Sequence, residues 1–78
     1  MLTTLDQLIV CDLAIVVGIK NNSNTPILQR LLEMGIIEGA PVEVLGFAPL
    51  GDPMRVRVFG YTLAIRKYEA SLVEVEKF

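Results

Sequence analysis

The chain has 78 residues, of which 53% are hydrophobic, and a formal net charge of −2. This length supports one hydrophobic core, so we predict a single domain over residues 1–78. The acidic balance gives no overall basic field for nucleic acid, and the absence of histidine removes the commonest general base and metal ligand. The sequence shows no paired nucleophile and base and no phosphate-binding glycine loop, which favours a non-enzymatic protein without a cofactor.

The apolar content indicates a contact surface rather than a membrane span. Mean hydropathy is +0.54, and surplus apolar surface on so small a domain suits a partner or self-association. The longest apolar stretch, Leu8 to Ile19, is interrupted by Asp12 and is shorter than the ~20 residues of a spanning helix. The first basic residue is Lys20, so no signal peptide is expected. We predict a cytoplasmic protein that meets a membrane only through its partner.

Two elements are predicted before the first loop. Residues Leu2 to Leu8 carry a short helical signal, in which Thr4 and Gln7 match a capping box. Asp12 to Ile19 is predicted to be a strand with apolar residues on both faces. We therefore expect this strand to be covered on both sides, with a helix across its small-residue face.

An amphipathic helix is predicted after the polar loop Lys20–Asn24. Thr25 suits the N-cap and Pro26 the first helical position. From Ile27 to Met34 the apolar residues recur on one stripe, with polar residues opposite. The cluster assigned to the core is Leu31, Leu32 and Met34.

Two glycines frame the corner that follows this helix. Gly35 suits the positive φ of a helix C-terminus, and Gly39 opens the turn before the next strand. Ile36 and Ile37 between them are expected to pack, although two adjacent side chains do not easily face inward together. Part of this helix face is therefore a second candidate contact patch.

Four further strands complete the predicted sheet, and a helical turn at Tyr68–Ser71 interrupts them. Gly60-Tyr61 suits a type II′ hairpin turn, and a turn at Phe59-Gly60 leaves the same side chains inward. Five strands and one helix predict a small, partly open β-barrel. The four strands are Val42–Phe47, Met54–Phe59, Thr62–Lys67 and Leu72–Glu76. The inward residues of the hairpin are Met54, Val56, Val58, Leu63 and Ile65, and the outward ones are Arg55, Arg57, Thr62, Ala64 and Arg66.

Three blocks of sequence resemble the FeoA family of ferrous iron transport accessory proteins. They are RLLEMGIIEGAPVEVL, then APLGDPM, then GYTLAIRKYEASLVEVE, and the resemblance extends from Leu5 to Glu76. It implies a mainly β, SH3-like five-stranded barrel with one helix after the first strand and a short N-terminal helical turn. The residues that carry its structural signature are Leu31, Leu32, Met34, Gly35, Gly39 and Gly60.

The resemblance also implies a partner, FeoB, the membrane permease that carries a GTPase domain. Similar domains end the diphtheria-toxin-repressor type of metalloregulator, so a metal-sensing domain is one alternative. A small-barrel nucleic-acid binder is another, and the acidic composition disfavours it. This sequence departs from the family pattern at Val10-Cys11-Asp12, where a glycine turn is common, and at Glu38, where proline is common.

The loop from Phe47 to Pro53 is the first predicted partner surface. Leu50 lies at its tip between Pro49 and Gly51, and two prolines reduce the entropy that the loop loses on docking. In the alternative, Leu50 folds back onto the barrel. The candidate contact residues in this loop are Phe47, Pro49, Leu50 and Asp52.

Three outward arginines form the second candidate contact surface. Arg55, Arg57 and Arg66 suit an acidic face of a GTPase domain or anionic lipid head groups, and Arg55 is expected to oppose Arg66 across the hairpin. The alternative is ordinary cross-strand pairing with carboxylates such as Glu43, which contributes ~0.2–1 kcal/mol a pair.

No metal site is predicted, despite the family name. Cys11 alone is a poor ligand set without histidine, and we expect a buried or partly buried thiol. Glu74 and Glu76 share a strand face, a spacing that is typical of a solvated edge.

Overall fold

The computed structural model describes residues 1–20 and 25–78, with Thr25 described in its backbone alone. The predicted loop at residues 21–24 and the N-cap side chain of Thr25 therefore lie outside the described residues. The strands are β1 (Leu2–Thr4), β2 (Leu13–Ile19), β3 (Pro41–Phe47), β4 (Met54–Val58), β5 (Tyr61–Ile65) and β6 (Val73–Lys77). The helices are α1 (Thr25–Glu33) and α2 (Lys67–Ala70), with 3-10 turns at Leu5–Gln7 and Pro49–Gly51. All six strands form one antiparallel sheet in the order β1-β6-β2-β3-β4-β5.

The core is built by alternation along the strands, because successive side chains point to opposite faces of a sheet. In β6, Val73 and Val75 are fully buried while Glu74 between them is exposed. In β4, Val56 is buried and the arginines on either side of it are exposed. The predicted inward and outward faces of both strands are confirmed. The other buried apolar residues include Leu5, Leu8, Ala14, Val16, Leu31, Ile36, Val42, Val44, Met54 and Ile65.

The N-terminal segment begins as a strand, so the predicted helical turn over Leu2–Leu8 is wrong in its first part. β1 pairs antiparallel with β6, and only Leu5–Gln7 forms a 3-10 turn. The capping box is also wrong, because the Thr4 hydroxyl donates to the carboxylate of Asp6 and makes no cap bond to the backbone. The sheet consequently has six strands rather than five.

β2 is more completely covered on one face than on the other. Its small-residue face lies in the core with Leu31 of α1, as predicted. Its other face is only partly covered, since Leu13 is 50% and Val17 37% exposed while Ile19 packs against the core, so the expectation that both faces are buried is wrong. Leu32, predicted to belong to the core, is also largely exposed.

The β4–β5 hairpin turns one residue earlier than the preferred prediction. Phe59 and Gly60 both have positive φ, 50° and 81°, which characterises a type I′ turn. Arg55 therefore pairs with Ala64, and the predicted opposition of Arg55 and Arg66 is wrong. The two registers differ by an even number of residues, so the inward set of side chains is the same in both.

The corner after α1 packs against this hairpin. Gly35 has a φ of 91°, and a Cβ added there would lie 3.6 Å from the Phe59 ring and 3.7 Å from Val58. Both distances are ordinary van der Waals contacts, so it is the positive φ, and not a lack of space, that favours glycine at this position. Ile36 is fully buried and Ile37 is 42% exposed, so only the first isoleucine joins the core.

An ion pair between a half-exposed arginine and a buried glutamate joins α1 to α2. Arg30 Nε lies 2.7 Å from Glu69 Oε2, and the Glu69 side chain is 2% exposed. The second carboxylate oxygen accepts a hydrogen bond from the backbone N–H of Arg66 at 3.2 Å. A buried carboxylate is costly unless it is paired and hydrogen-bonded, and Glu69 has both kinds of partner.

Cys11 occupies a backbone conformation that suits glycine, and its side chain is exposed rather than buried as predicted. Its φ is 75°, and its N–H donates to the carbonyl of Val44 at 2.8 Å. This is the place where the family pattern commonly has a glycine turn. A left-handed conformation costs an L-residue ~1–2 kcal/mol.

We expect Cys11→Gly to raise the free energy of unfolding by about 0.5–1 kcal/mol, because relief of this strain exceeds the extra freedom of glycine in the unfolded chain. Urea unfolding measures the change. Cys11→Ala keeps the strain and serves as the control. A glycine variant less stable than the alanine variant would contradict the strain argument.

Candidate docking surface

The loop between β3 and β4 presents one fully exposed apolar side chain. Leu50 lies within the 3-10 turn with a φ of 73°, and its relative exposure is 105%. The alternative in which Leu50 folds back onto the barrel is therefore wrong. A leucine in this conformation is strained, and here it buries no apolar surface that would offset the strain.

The loop is tied to the domain on both sides of Leu50. The N–H of Ala48 donates to the carbonyl of Pro53 at 2.9 Å, which closes the base of the loop. The N–H of Lys67 donates to Asp52 Oδ1 at 3.0 Å, which joins the loop to the start of α2. These bonds tie the residues on both sides of the apolar tip to the rest of the domain.

At the start of the loop, the ring of Phe47 contacts Lys67. This contact was not predicted from the sequence. Phe47 is half-buried against the core, and Lys67 Nζ lies 5.6 Å from the centroid of its ring, a cation–π distance. The predicted contact residues Phe47 and Asp52 therefore anchor the loop, Phe47 as a half-buried and Asp52 as an exposed residue, whereas Pro49 and Leu50 form its exposed tip. Lys67 is distant in sequence from both residues that it contacts, so no local pattern indicates its role.

The three arginines have different surroundings. Arg57 Nη1 lies 3.3 Å from Glu43 Oε1, its neighbour across β3 and β4, so this residue makes the predicted cross-strand pair. Arg55 lies over Gly46, where an added Cβ would be 3.9 Å from its Nη2 atom. Within residues 1–20 and 25–78, neither Arg55 nor Arg66 forms an ion pair.

Two residues of the second candidate patch are exposed. Leu32 near the end of α1 and Ile37 in the corner are 47% and 42% exposed. Neither side chain is as exposed as Leu50, and neither is held at a loop tip.

In the described part of the chain, no group of three or more histidine, cysteine, aspartate or glutamate residues has a geometry for a metal ion. Glu76 contacts the terminal ammonium group of Met1, and Asp12 lies 3.4 Å from Lys77 Nζ. Among the described helices, none has the length and apolarity to cross a bilayer.

The architecture places the chain among the SH3-like barrel proteins. A six-stranded antiparallel sheet with a helix inserted between β2 and β3 is an SH3-like barrel, and its most exposed apolar feature is a braced loop. The model of the FeoA domain matches residues 3–77. The chain belongs to the FeoA family.

Solved structures of the family share the fold. The chain is 31% identical to a FeoA-like protein from Clostridium acetobutylicum, with a TM-score of 0.89 over 99% of this chain and 87% of that one. It is 32% identical to FeoA of Stenotrophomonas maltophilia complexed with zinc, with a TM-score of 0.82 over 95% of this chain and 89% of that one. The SH3-like fold predicted from the resemblance is confirmed.

A curated relative combines two proteins in one polypeptide. It is the Fe(2+) transport protein A/Fe(2+) transporter FeoB fusion protein of Porphyromonas gingivalis, which is 40% identical over 48 residues. These residues are 62% of this chain and 6% of the fusion protein. A manganese-dependent transcriptional repressor has the same fold, with a TM-score of 0.90 over 99% of this chain and 41% of that one. Its sequence identity is 17%, so this likeness concerns the fold alone.

Proposed function

We propose that the chain is a non-enzymatic accessory protein of ferrous iron uptake that docks, in the cytoplasm, on the GTPase-containing part of a FeoB-type permease. Membership of the FeoA family and the fusion of a FeoA protein to a FeoB transporter support this partner. Fusion keeps two proteins at a high effective concentration, which benefits proteins that act together.

The observation that carries the docking surface is Leu50. Its side chain is fully exposed, although leucine is usually buried, and its φ is positive, although leucine disfavours that conformation. The side chain makes no buried contact that would stabilise the isolated fold. Rule-breaking residues that the fold does not need occur at functional sites. A leucine tip that enters an apolar pocket of a partner explains both violations.

Because the loop is already hydrogen-bonded to the domain, docking through Leu50 loses little conformational entropy. Ordering a flexible loop on association costs entropy, and a loop that is already ordered avoids that cost. The bond between Lys67 and Asp52 and the bond between Ala48 and Pro53 fix the two sides of the tip before any partner arrives. Leu50 then supplies affinity, while exposed charge nearby sets orientation.

The proposal is tested by titrating the chain into the purified cytoplasmic part of its permease, without nucleotide, with GDP and with a non-hydrolysable GTP analogue. We expect saturable binding in at least one nucleotide state, measured by calorimetry. The rate of GTP hydrolysis at saturation then shows whether docking activates, inhibits or only assembles the transporter. Absence of binding in all three states would overturn the proposal.

Arg55 is expected to contribute to docking through its charge. Arg55→Gln should lower the affinity severalfold at low salt, and the difference should vanish near 1 M salt, where the Debye length is about 3 Å. Arg57→Gln is the matched control, because Glu43 already neutralises Arg57. Calorimetry of both variants at two salt concentrations measures the effect. Equal losses for both variants would contradict a specific role for Arg55.

A further inference from the structure

β5 forms one end of the sheet and carries none of the usual features that protect an edge. It pairs with β4 alone in the described part of the chain. Edge strands in natural proteins are commonly blunted by charge, proline, a bulge or very short length. β5 is five residues long, reads YTLAI, and pairs with β4 without a register shift. The opposite end strand, β1, has only three residues.

The hairpin geometry determines which backbone groups this edge presents. The two-residue turn makes Val58 and Tyr61 its closing pair, joined by the carbonyl-to-amide bond of a tight turn. Hydrogen-bonded and non-hydrogen-bonded pairs alternate along an antiparallel ladder. Thr62 and Ala64 therefore direct their N–H and C=O groups away from β4, toward the open edge.

We propose that β5 is a self-association edge, on which a second copy of this chain pairs its own β5 antiparallel about a two-fold axis centred at Leu63. This register overlaps all five residues of both strands. Thr62 of each copy then faces Ala64 of the other, and the two pairs exchange four backbone hydrogen bonds. A two-fold interface requires a self-complementary surface, and the outward groups of this strand provide one.

The side chains and charges suit the same register. Leu63, which is half-buried, meets its own copy in the central non-hydrogen-bonded pair, where side chains approach most closely. Tyr61, 73% exposed in the isolated chain, lies opposite Ile65 of the second copy. Arg66 falls opposite Gly60, so no like charges face each other. This charge pattern favours a second copy over an acidic or basic segment of another protein, because β5 has no charge with which to select one.

Thr62→Pro is the decisive variant. Proline removes the outward N–H, which β4 does not use, and proline is tolerated on the free side of an edge strand. We expect the wild-type chain to pass from monomer to dimer between low-micromolar and millimolar concentration in sedimentation analysis. Thr62→Pro should weaken the dimer by roughly ten- to a hundredfold, since two symmetry-related bonds are lost. Thr62→Val keeps the N–H and should dimerise like the wild type.

Amide hydrogen exchange distinguishes this interface from other modes of association. In the dimer, the amides of Thr62 and Ala64 should gain protection with increasing concentration. Circular dichroism of Thr62→Pro should match that of the wild type, and a variant that fails to fold is replaced by Ala64→Lys, which places like charges near each other across the interface. A wild-type chain that is monomeric throughout, or a dimer in which these two amides stay unprotected, overturns the proposal.

Discussion

Replacing Leu50 with glycine is expected to stabilise the fold and to remove most of its docking affinity. The side chain buries nothing in the isolated chain and has a φ of 73°. Relief of a strain of ~1–2 kcal/mol, less the added freedom of glycine in the unfolded state, gives a net gain of about 0.5–1 kcal/mol. Loss of a leucine buried at an interface costs ~1.5–3 kcal/mol, which weakens binding tenfold or more.

The two effects are measured separately, by urea unfolding of the chain and by calorimetry with the cytoplasmic part of the permease. Leu50→Asn serves as a second test, because asparagine also tolerates this backbone conformation. Leu2→Thr is the matched control, since Leu2 is 69% exposed but lies in a strand. Wild-type affinity in Leu50→Gly would remove the loop tip from the docking surface.

Replacing Arg30 with methionine is expected to destabilise the fold by about 2 kcal/mol, because Glu69 keeps a buried charge with one fewer donor. The methionine preserves most of the apolar stem of the side chain, so the loss reports the guanidinium group. Arg30 is itself half-exposed, so water partly replaces it and the cost stays below that of a fully buried pair. Urea unfolding measures the loss.

Glu69→Gln is the control for this ion pair. The amide keeps an acceptor for the N–H of Arg66 and leaves no buried charge, and the half-exposed Arg30 guanidinium is solvated by water, so a smaller loss is expected. Once Glu69 is neutral, adding Arg30→Met should change the stability little, and the double-mutant cycle isolates the interaction. A single Arg30→Met variant within about 0.5 kcal/mol of the wild type would show that the pair contributes no more than an ordinary surface contact.

Much of the fold could be predicted from sequence because buried positions recur at a regular spacing along a strand or helix, and apolar residues recur with them. β4 and β6 alternate apolar and charged residues, and the structure buries the apolar set in both. The corner glycine at position 35 and the amphipathic face of α1 were likewise predictable, since backbone conformation and helical period both constrain residue type. β1 was missed because three residues are too few to show an alternation.

The errors concern features that depend on distant contacts. β2 is apolar on both faces, which normally indicates burial on both sides, yet Leu13 and Val17 on its outer face are exposed. Glu69 lies in the predicted helical turn, and its burial is tolerable because both Arg30 of α1 and the backbone N–H of Arg66 pair with its carboxylate. The exposure of Leu50 was one of two alternatives at the sequence level, because two prolines stiffen a loop without fixing the direction of its tip.

The most direct test of docking through Leu50 is photo-crosslinking to the cytoplasmic part of the permease. A photoreactive benzoylphenylalanine is introduced at position 50 in one variant and at position 2 in another, and both are irradiated with the permease under conditions where calorimetry shows saturation. Docking through the loop predicts a strong adduct from position 50 and little from position 2. An adduct from position 2 alone, or none from position 50 while binding persists, would contradict it.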